Sequence, residues 1–458
     1  NLIVARSSGC NKAGYRAATN RRCQNNGCLA NGDAFIQTVM TDSIPSGYKP
    51  LTCDTLPGYL SSRLTPSCEP GGLPEEWKVS EVGDGNLNMV FIVEGTHKTI
   101  IVKQALPWLR AGGEGWPLSL SRAGFEYNVL CQEAKYAGHT LIPQVYFYDP
   151  EMALFAMEYL TPHVILRKEL INGKKFPKLA EDIGRFLAQT LFNTSDIGMS
   201  AEQKKALTAE FALNHELCKI TEDLIFTEPY YNAERNNWTS PELDDAVHKA
   251  WADVEMIQVA MRYKYKFMTE AQALLHGDLH SGSIMVTDTD TKVIDPEFGF
   301  MGPMAFDIGN YIGNLLLAYF SRPGWDANEQ RRADYQEWLL QQIVQTWSVF
   351  TREFRQLWDN KTQGDAWPTE MYQQNRAALE DAQDQFFATL LEDSLVNAGM
   401  EMNRRIIGFA GVAELKQIEN TELRAGCERR ALTMARDLIV NARQFKNMDS
   451  VIQSAKVK

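Results

Sequence analysis

The sequence predicts an α+β fold of two lobes, a small antiparallel β-sheet lobe followed by a larger, mostly helical one. Three observations predict it. The 458 residues exceed one small core and, at about 150 residues per domain, fill two large lobes or three modest units. Residues 77–158 carry short β-rich runs, whereas after Pro162 apolar residues recur at helical spacing. Residues 1–72, with five of the eight cysteines and many Gly, Asn, Ser and Pro, form a third region of different character.

Residues 1–72 read as a low-complexity tail or presequence. They lack hydrophobic periodicity, and Arg6, Lys12, Arg16, Arg21 and Arg22 precede the first acid, Asp33, as in an organelle-targeting segment. Such a tail is expected to be dispensable for folding. Cys23 and Cys28 are separated by four residues, but they lack the CxxC pair or nearby histidine that zinc requires. From Trp77, the runs Val79–Val82, Met89–Val93, Thr99–Val102, Gln144–Tyr148 and Leu154–Glu158 predict one antiparallel sheet, with a helix over Arg122–Tyr136. Residues 73–160 are thus the small lobe. In residues 161–458 one stripe runs from Leu179 through Ile183, Phe186 and Leu187 to Leu191, and a longer one from Tyr335 to Leu357. Both predict core-facing helices. Within this half, Ile284–Val286 and Lys292–Ile294 flank Asp288-Thr289-Asp290-Thr291, a hairpin signature.

Composition excludes several classes. Apolar residues at 44% and charged residues at 23% are globular values, so wholesale disorder is excluded. With 46 basic against 58 acidic residues the net charge is -12, opposite to that of a nonspecific nucleic-acid or anionic-membrane binder. The longest apolar stretch, around Asn314 to Phe320, falls far short of the roughly 18 residues needed to span a bilayer. Beyond residue 72, Cys131, Cys218 and Cys427 are too scattered for a disulfide framework, which points to a reducing, cytoplasmic location unless the tail directs the chain to an organelle.

The chemistry concentrates in three places. Gly83-Asp84-Gly85-Asn86-Leu87-Asn88 lies between two strand runs, where glycines let the backbone approach a phosphate; Gly83, Gly85 and Val90 match the kinase glycine-loop pattern, and Asn88 takes the place of its third glycine. Lys103 closes the next strand, placed to reach under that loop, and Glu126 on the following helix is its candidate carboxylate partner. Farther on, His276-Gly277-Asp278-Leu279-His280 precedes the hairpin and Asp295-Pro296-Glu297-Phe298 follows it. A hairpin returns the chain to its start, so Asp278 and Asp295 can face one cavity. One carboxylate would accept a hydroxyl proton while Asp295 and Glu297 hold magnesium through hard oxygen ligands. A rival reading gathers His276, Asp278 and His280 around zinc for a hydrolase.

In order, these features resemble the protein-kinase-like small-molecule kinases, the group of aminoglycoside and choline kinases. Within it, GDGNLN at 83–88, Val102-Lys103-Gln104-Ala105-Leu106-Pro107, Trp116-Pro117-Leu118, HGDLHSGS at 276–283, DPEF at 295–298 and Arg404-Arg405-Ile406-Ile407-Gly408 resemble the S-methyl-5-thioribose kinases, from about residue 77 to the C-terminus and with a plant or algal flavour. The resemblance implies a protein-kinase-like two-lobed fold, ATP and Mg2+ as cofactors, methylthioribose as substrate and a homodimer. It implies that Asn88 and Lys103 contact ATP phosphates, and that Glu158, Tyr159 and Leu160 form the hinge that meets adenine. Asp278 would be the catalytic base, Asp295 and Glu297 the metal ligands with Pro296 between them, and Ser283 would stand at a metal-binding position. Arg404, Arg405 and Trp116 would line the sugar site. A kinase of another small alcohol or aminoglycoside stays open, as does a nucleotide-binding pseudokinase-like module; the intact set Lys103, Asp278, Asp295 and Glu297 disfavours the latter.

Overall fold

A computed structural model describes residues 44–83, 87–110, 115–361 and 363–458. Helix α1 (Leu56–Leu60) precedes a sheet whose strands are β1 (Lys78–Glu81), β2 (Asn88–Glu94), β3 (Thr99–Ala105), β4 (Val145–Asp149) and β5 (Leu154–Glu158), with helix α2 (Arg122–Ala137) between β3 and β4. The strands are antiparallel in the order β1-β2-β3-β5-β4, and each sequence-predicted run is one of them. Strand β3 runs beyond Val102 to Ala105, so Lys103 lies inside the strand, paired with Val90 and Phe155, rather than at its end.

Side chains alternate across a strand, and in β3 both faces are apolar, so both need cover. Ile101 and Ala105 face α2 and the main core, which places Lys103 on that side too. Ile100 and Val102 face the other way, against fully buried Leu51, Leu56 and Leu60. On the same outer side, the Gln104 amide accepts from Leu51 N at 2.8 Å and donates to Lys49 O at 3.0 Å, while Tyr59 donates to Asp149 at 2.6 Å. The predicted boundary at residue 72 is therefore corrected: residues 44–72 form a strap over the outer face of the small lobe. Leu51 precedes a helix of only five residues that carries Leu56 and Leu60, too short a pattern to read from the sequence, and what they cover shows only once the sheet exists. Residues 1–43, with the presequence reading and the Cys23–Cys28 pair, lie outside the described residues.

The large lobe continues through β6 (Val164–Ile165), α3 (Leu166–Ile171), α4 (Leu179–Asn193), α5 (Ala201–Phe211), α6 (His215–Leu224), α7 (Asp244–Trp251) and α8 (Val254–Thr269). Four short strands follow, β7 (Ala273–Leu274), β8 (Ile284–Val286), β9 (Thr291–Val293) and β10 (Met301–Gly302). The chain closes with α9 (Ala305–Ser321), α10 (Glu329–Asp359), α11 (Arg376–Ile407), α12 (Ala413–Lys416), α13 (Thr421–Val440) and α14 (Met448–Lys456). Both predicted helical stripes are buried faces, of α4 and α10, and these two helices pack together. Helix α9, which holds the apolar stretch at Asn314–Phe320, is buried along its whole length against α11. At Gly309 the two helices nearly touch, since a Cβ there would stand 2.5 Å from the Asn397 Cβ. Among the described residues no helix is long and apolar enough to cross a membrane.

The predicted hairpin is β8–β9, and β7 pairs with β10. These two pairings set residues 275–283 beside 294–300, sealed by Leu275 N donating to Phe300 O and Ile294 N to Ser283 O, both at 2.9 Å.

Candidate active site

The first corner of the cleft forms where the small lobe meets the loop after β9. Lys103 Nζ contacts both Glu126 Oε1 and Asp295 Oδ1. Asn88, at the start of β2, donates to Glu297 Oε2 at 2.9 Å and to Glu126 Oε2 at 3.4 Å. Carboxylate oxygens of Glu126, Asp295 and Glu297 lie within 4.8 Å of one another, the only such acidic or metal-ligating group of three among the described residues. Burial pushes the Glu126 carboxyl up to about 7, although Lys103 pulls the other way. Glu297 is raised well above the usual carboxylate range by burial and by the charge of Asp295. For Asp295, burial is outweighed by Lys103, which holds the carboxyl below its ordinary value. Lys103 is kept protonated against burial by Asp295, Glu126 and Glu297. Asp295 has φ +70, the left-handed region that aspartate tolerates better than most residues. The loop is braced by Asn214, which donates to Glu297 O at 3.0 Å and Gly299 O at 2.9 Å.

The second corner centres on Asp278. Gly277 before it has φ +84, and a Cβ there would stand 2.2 Å from Phe298 O, so the position requires glycine. The loop hangs from Asp307 of α9, whose oxygens accept from His276 N at 2.7 Å and Gly277 N at 3.0 Å. Burial raises the Asp307 carboxyl to about 7. Asp278 Oδ1 lies 3.4 Å from Arg404 Nη2 and 3.5 Å from Arg405 Nη2, and its Oδ2 lies 3.3 Å from His280 Nε2. Burial alone would raise this carboxyl; His280, Arg405 and Arg404 bring it well below the usual range. Both arginines are buried near the C-terminal end of α11, and Glu401 pairs with each of them. The zinc reading fails on the ring of His276: Nε2 meets Ile294 O at 2.9 Å, Nδ1 accepts from Asp278 N at 3.3 Å, and burial lowers its basicity to about 4. A ring engaged on both nitrogens is a loop strut. Ser283 donates its hydroxyl to Asp278 O at 3.0 Å.

The two corners adjoin, since the segments that carry Asp278 and Asp295 are tied together by His276 Nε2 to Ile294 O and by Ile294 N to Ser283 O, both at 2.9 Å. Trp116 stands at the rim, with the Arg235 guanidinium 4.6 Å over its ring and Phe409 at 6.3 Å between centroids. Phe409 follows four residues after Arg405, so Trp116 leans toward the arginine helix. Glu158 ends β5, with its N–H donating to Gln144 O at 2.8 Å, and Tyr159 and Leu160 continue from it. Gly83 begins a turn after β1, Pro296 is buried between Asp295 and Glu297, and Gly85 lies outside the described residues. Sequence reasoning missed Glu401, Asp307, Asn214 and Arg167. The available signal for Asp307 and Glu401 was a lone acid in an apolar helical stretch.

The profile of the phosphotransferase enzyme family matches residues 78–358. Methylthioribose kinase 1 of Oryza sativa subsp. japonica is 40% identical over 409 residues, which cover 89% of this chain and 95% of that protein. A methylthioribose kinase of Geobacillus sp. strain WCH70 is 44% identical over 403 residues, 88% of this chain and 94% of its own. Among solved structures, an ethanolamine kinase of Plasmodium vivax is similar with 13% identity and a TM-score of 0.41, covering 85% of this chain and 88% of that one.

Proposed function

The chain belongs to the phosphotransferase enzyme family and, within it, to the methylthioribose kinases, and from that premise we propose that it transfers the γ-phosphoryl group of ATP to the 1-hydroxyl of S-methyl-5-thioribose, a step of methionine salvage. One observation carries the reading: Asp278, a carboxylate paired with two buried arginines and His280, stands on the loop tied to the one that brings Asp295 to Lys103 and Glu126.

Asp278 accepts a hydrogen bond from the sugar hydroxyl and aims its oxygen at phosphorus. Its depressed pKa makes it a weak base, which suits phosphoryl transfer through a loose transition state, where positioning and charge carry most of the rate and the proton leaves late. As the new oxygen–phosphorus bond forms, the bond to ADP breaks and the hydroxyl proton passes to Asp278. Arg404 and Arg405 then face a site that has lost one negative charge, so they stabilise the added phosphoryl group. Lys103 meets phosphate oxygens from the other side. By the sequence resemblance, the glycine loop that Gly83 opens would lie over the phosphates. The N–H of Glu158 is already engaged with Gln144 O, so the backbone contacts to adenine come from the other main-chain groups of Glu158, Tyr159 and Leu160.

Magnesium fits the first corner. Three carboxylates surround one lysine, all donors are hard oxygens, and the buried Oδ1 of Asn88 lacks a hydrogen-bond partner beside them. Asp295 and Glu297 would hold the ion, with Glu126 in reach; the chemistry it supplies is charge offset on the phosphate oxygens. Our proposal includes a homodimer, supported by the sequence resemblance, and a cytoplasmic location, supported by the free thiols Cys53, Cys68, Cys218 and Cys427. The test is ADP release with methylthioribose, choline, an aminoglycoside and homoserine offered separately. Methylthioribose is expected to respond best, and a stronger response to any other acceptor overturns the assignment.

A further inference from the structure

We propose that Glu401 is the positioning residue of the acceptor corner: it takes the Nε edges of Arg404 and Arg405 so that both guanidinium groups present their Nη ends to Asp278 and to the sugar bound there. The inference rests on the reading just given and adds to it a residue that reading does not use.

Positions three and four apart share a helix face, so one carboxylate at 401 reaches both arginines. Its Oε2 accepts from Arg404 Nε at 2.5 Å and its Oε1 from Arg405 Nε at 2.7 Å. Without such a partner the two cations would diverge, because adjacent helical residues point about 100° apart and like charges repel. With it, each fork is pinned by one edge and the other end is aimed: both Nη2 atoms converge on Asp278 Oδ1, at 3.4 and 3.5 Å. Arg405 Nη2 is buried and, beyond its long 3.5 Å ion pair with Asp278, makes no hydrogen bond, so a donor in a residue only 5% exposed is left for an acceptor that the substrate brings.

Glu401 is itself fixed to the loop that carries Asp278. It is fully buried, and its Oε1 accepts from Asn314 Nδ2 at 2.8 Å. Asn314 Oδ1 accepts from Arg167 Nη2 at 3.0 Å, and Arg167 Nε donates to Ser281 Oγ at 3.1 Å. The chain Glu401–Asn314–Arg167–Ser281 sets α11 in register with the catalytic loop, so the carboxylate fixes where the arginines stand as well as how they turn.

The experiment compares wild type, Glu401→Gln, Arg405→Lys and their double variant on whichever acceptor the wild type phosphorylates best. Glu401→Gln keeps the shape and removes the charge, so kcat/KM for the acceptor should fall about 10- to 100-fold, the worth of one or two charge-assisted hydrogen bonds, while ATP affinity changes little. Because Glu401 acts through the arginines, the double variant should lose no more than the worse single one. Additive losses, equal losses for acceptor and nucleotide, or unchanged efficiency each overturn the proposal. If Glu401→Gln does not fold, Glu401→Asp, too short to hold both arginines, should show the same split; failure of both to fold makes Glu401 a structural ion and overturns it. A wrong substrate assignment appears in the wild type with methylthioribose and leaves this comparison intact.

Discussion

Around Lys103 three carboxylates share one cation, whereas around Arg404 and Arg405 two carboxylates share two. The acids respond in opposite directions. Glu126 and Glu297 are raised, because burial is not offset by enough positive charge, while Asp278 and Glu401 are lowered, the latter to about 2, because two arginines, joined at Asp278 by His280, outweigh burial. On the proposed reading, the acceptor corner is therefore complete in the protein alone, with charges matched and aimed before the sugar would arrive. The nucleotide corner is short of positive charge, which a magnesium-bound nucleotide would supply. One corner is built to orient, the other to capture.

The largest effect should come from breaking the complete corner at its centre. Asp278→Asn keeps the shape but removes the oxygen that takes the proton, so turnover should fall ~100-fold or more. Nucleotide affinity should hold, since Asp278 does not belong to the Lys103 cluster. Single-turnover rates and nucleotide titration, run together, check both halves; near-normal turnover removes Asp278 as the base. A smaller loss should follow from Arg405→Lys, which keeps the charge and loses the planar fork: about 10- to 100-fold in kcat/KM for the sugar. Were ATP affinity to fall equally, the corners would not be separate.

The pH response should sharpen the contrast. Glu126 is raised from 4.5 to about 7, so its contribution to stability is present in full below pH 4.5 and is lost as pH rises toward 7 in the unliganded protein. A cation held by the ionised form reverses this. Binding of magnesium–nucleotide near pH 6 should therefore release protons, and its affinity should weaken by up to about tenfold per pH unit below 7. Calorimetry in two buffers of different ionisation enthalpy counts those protons. The acceptor corner, with Asp278 and Glu401 ionised and burial keeping the His280 ring below its ordinary basicity, should show an acceptor KM that stays flat from pH 8 down to about 6.5; a parallel drift over that range would mean that both corners titrate together.

Much of this was legible in the sequence. Strands with β-branched runs, the helix over α2 and the β8–β9 hairpin follow from period and turn chemistry, and the order of Lys103, Glu126, Asp278 and Asp295 brought them to one cleft. What stayed hidden acts at long range. Glu401 and Asp307 look like isolated acids on apolar helices until the fold sets α11 and α9 against the catalytic loop. His276 and His280 suggested metal ligands, because sequence spacing does not show that the His276 ring is occupied by Ile294 and Asp278. The strap was misread for the same reason: its leucines become a pattern only against β3.

That strap yields the smallest expected effect on catalysis. Leu56 is fully buried against Ile100 and Val102, so Leu56→Ala should lower stability by ~2–5 kcal/mol through lost burial and the cavity left behind. Lys103 points from the opposite face of β3, toward the cleft, and is held there by Glu126 and Asp295 rather than by the strap. At temperatures where the variant stays folded, kcat and nucleotide affinity should thus match the wild type, although denaturant unfolding of the small lobe begins earlier. If turnover falls as far as stability does, the strap sets the position of Lys103 through β3, and the first corner depends on residues 44–72 as much as on its three carboxylates.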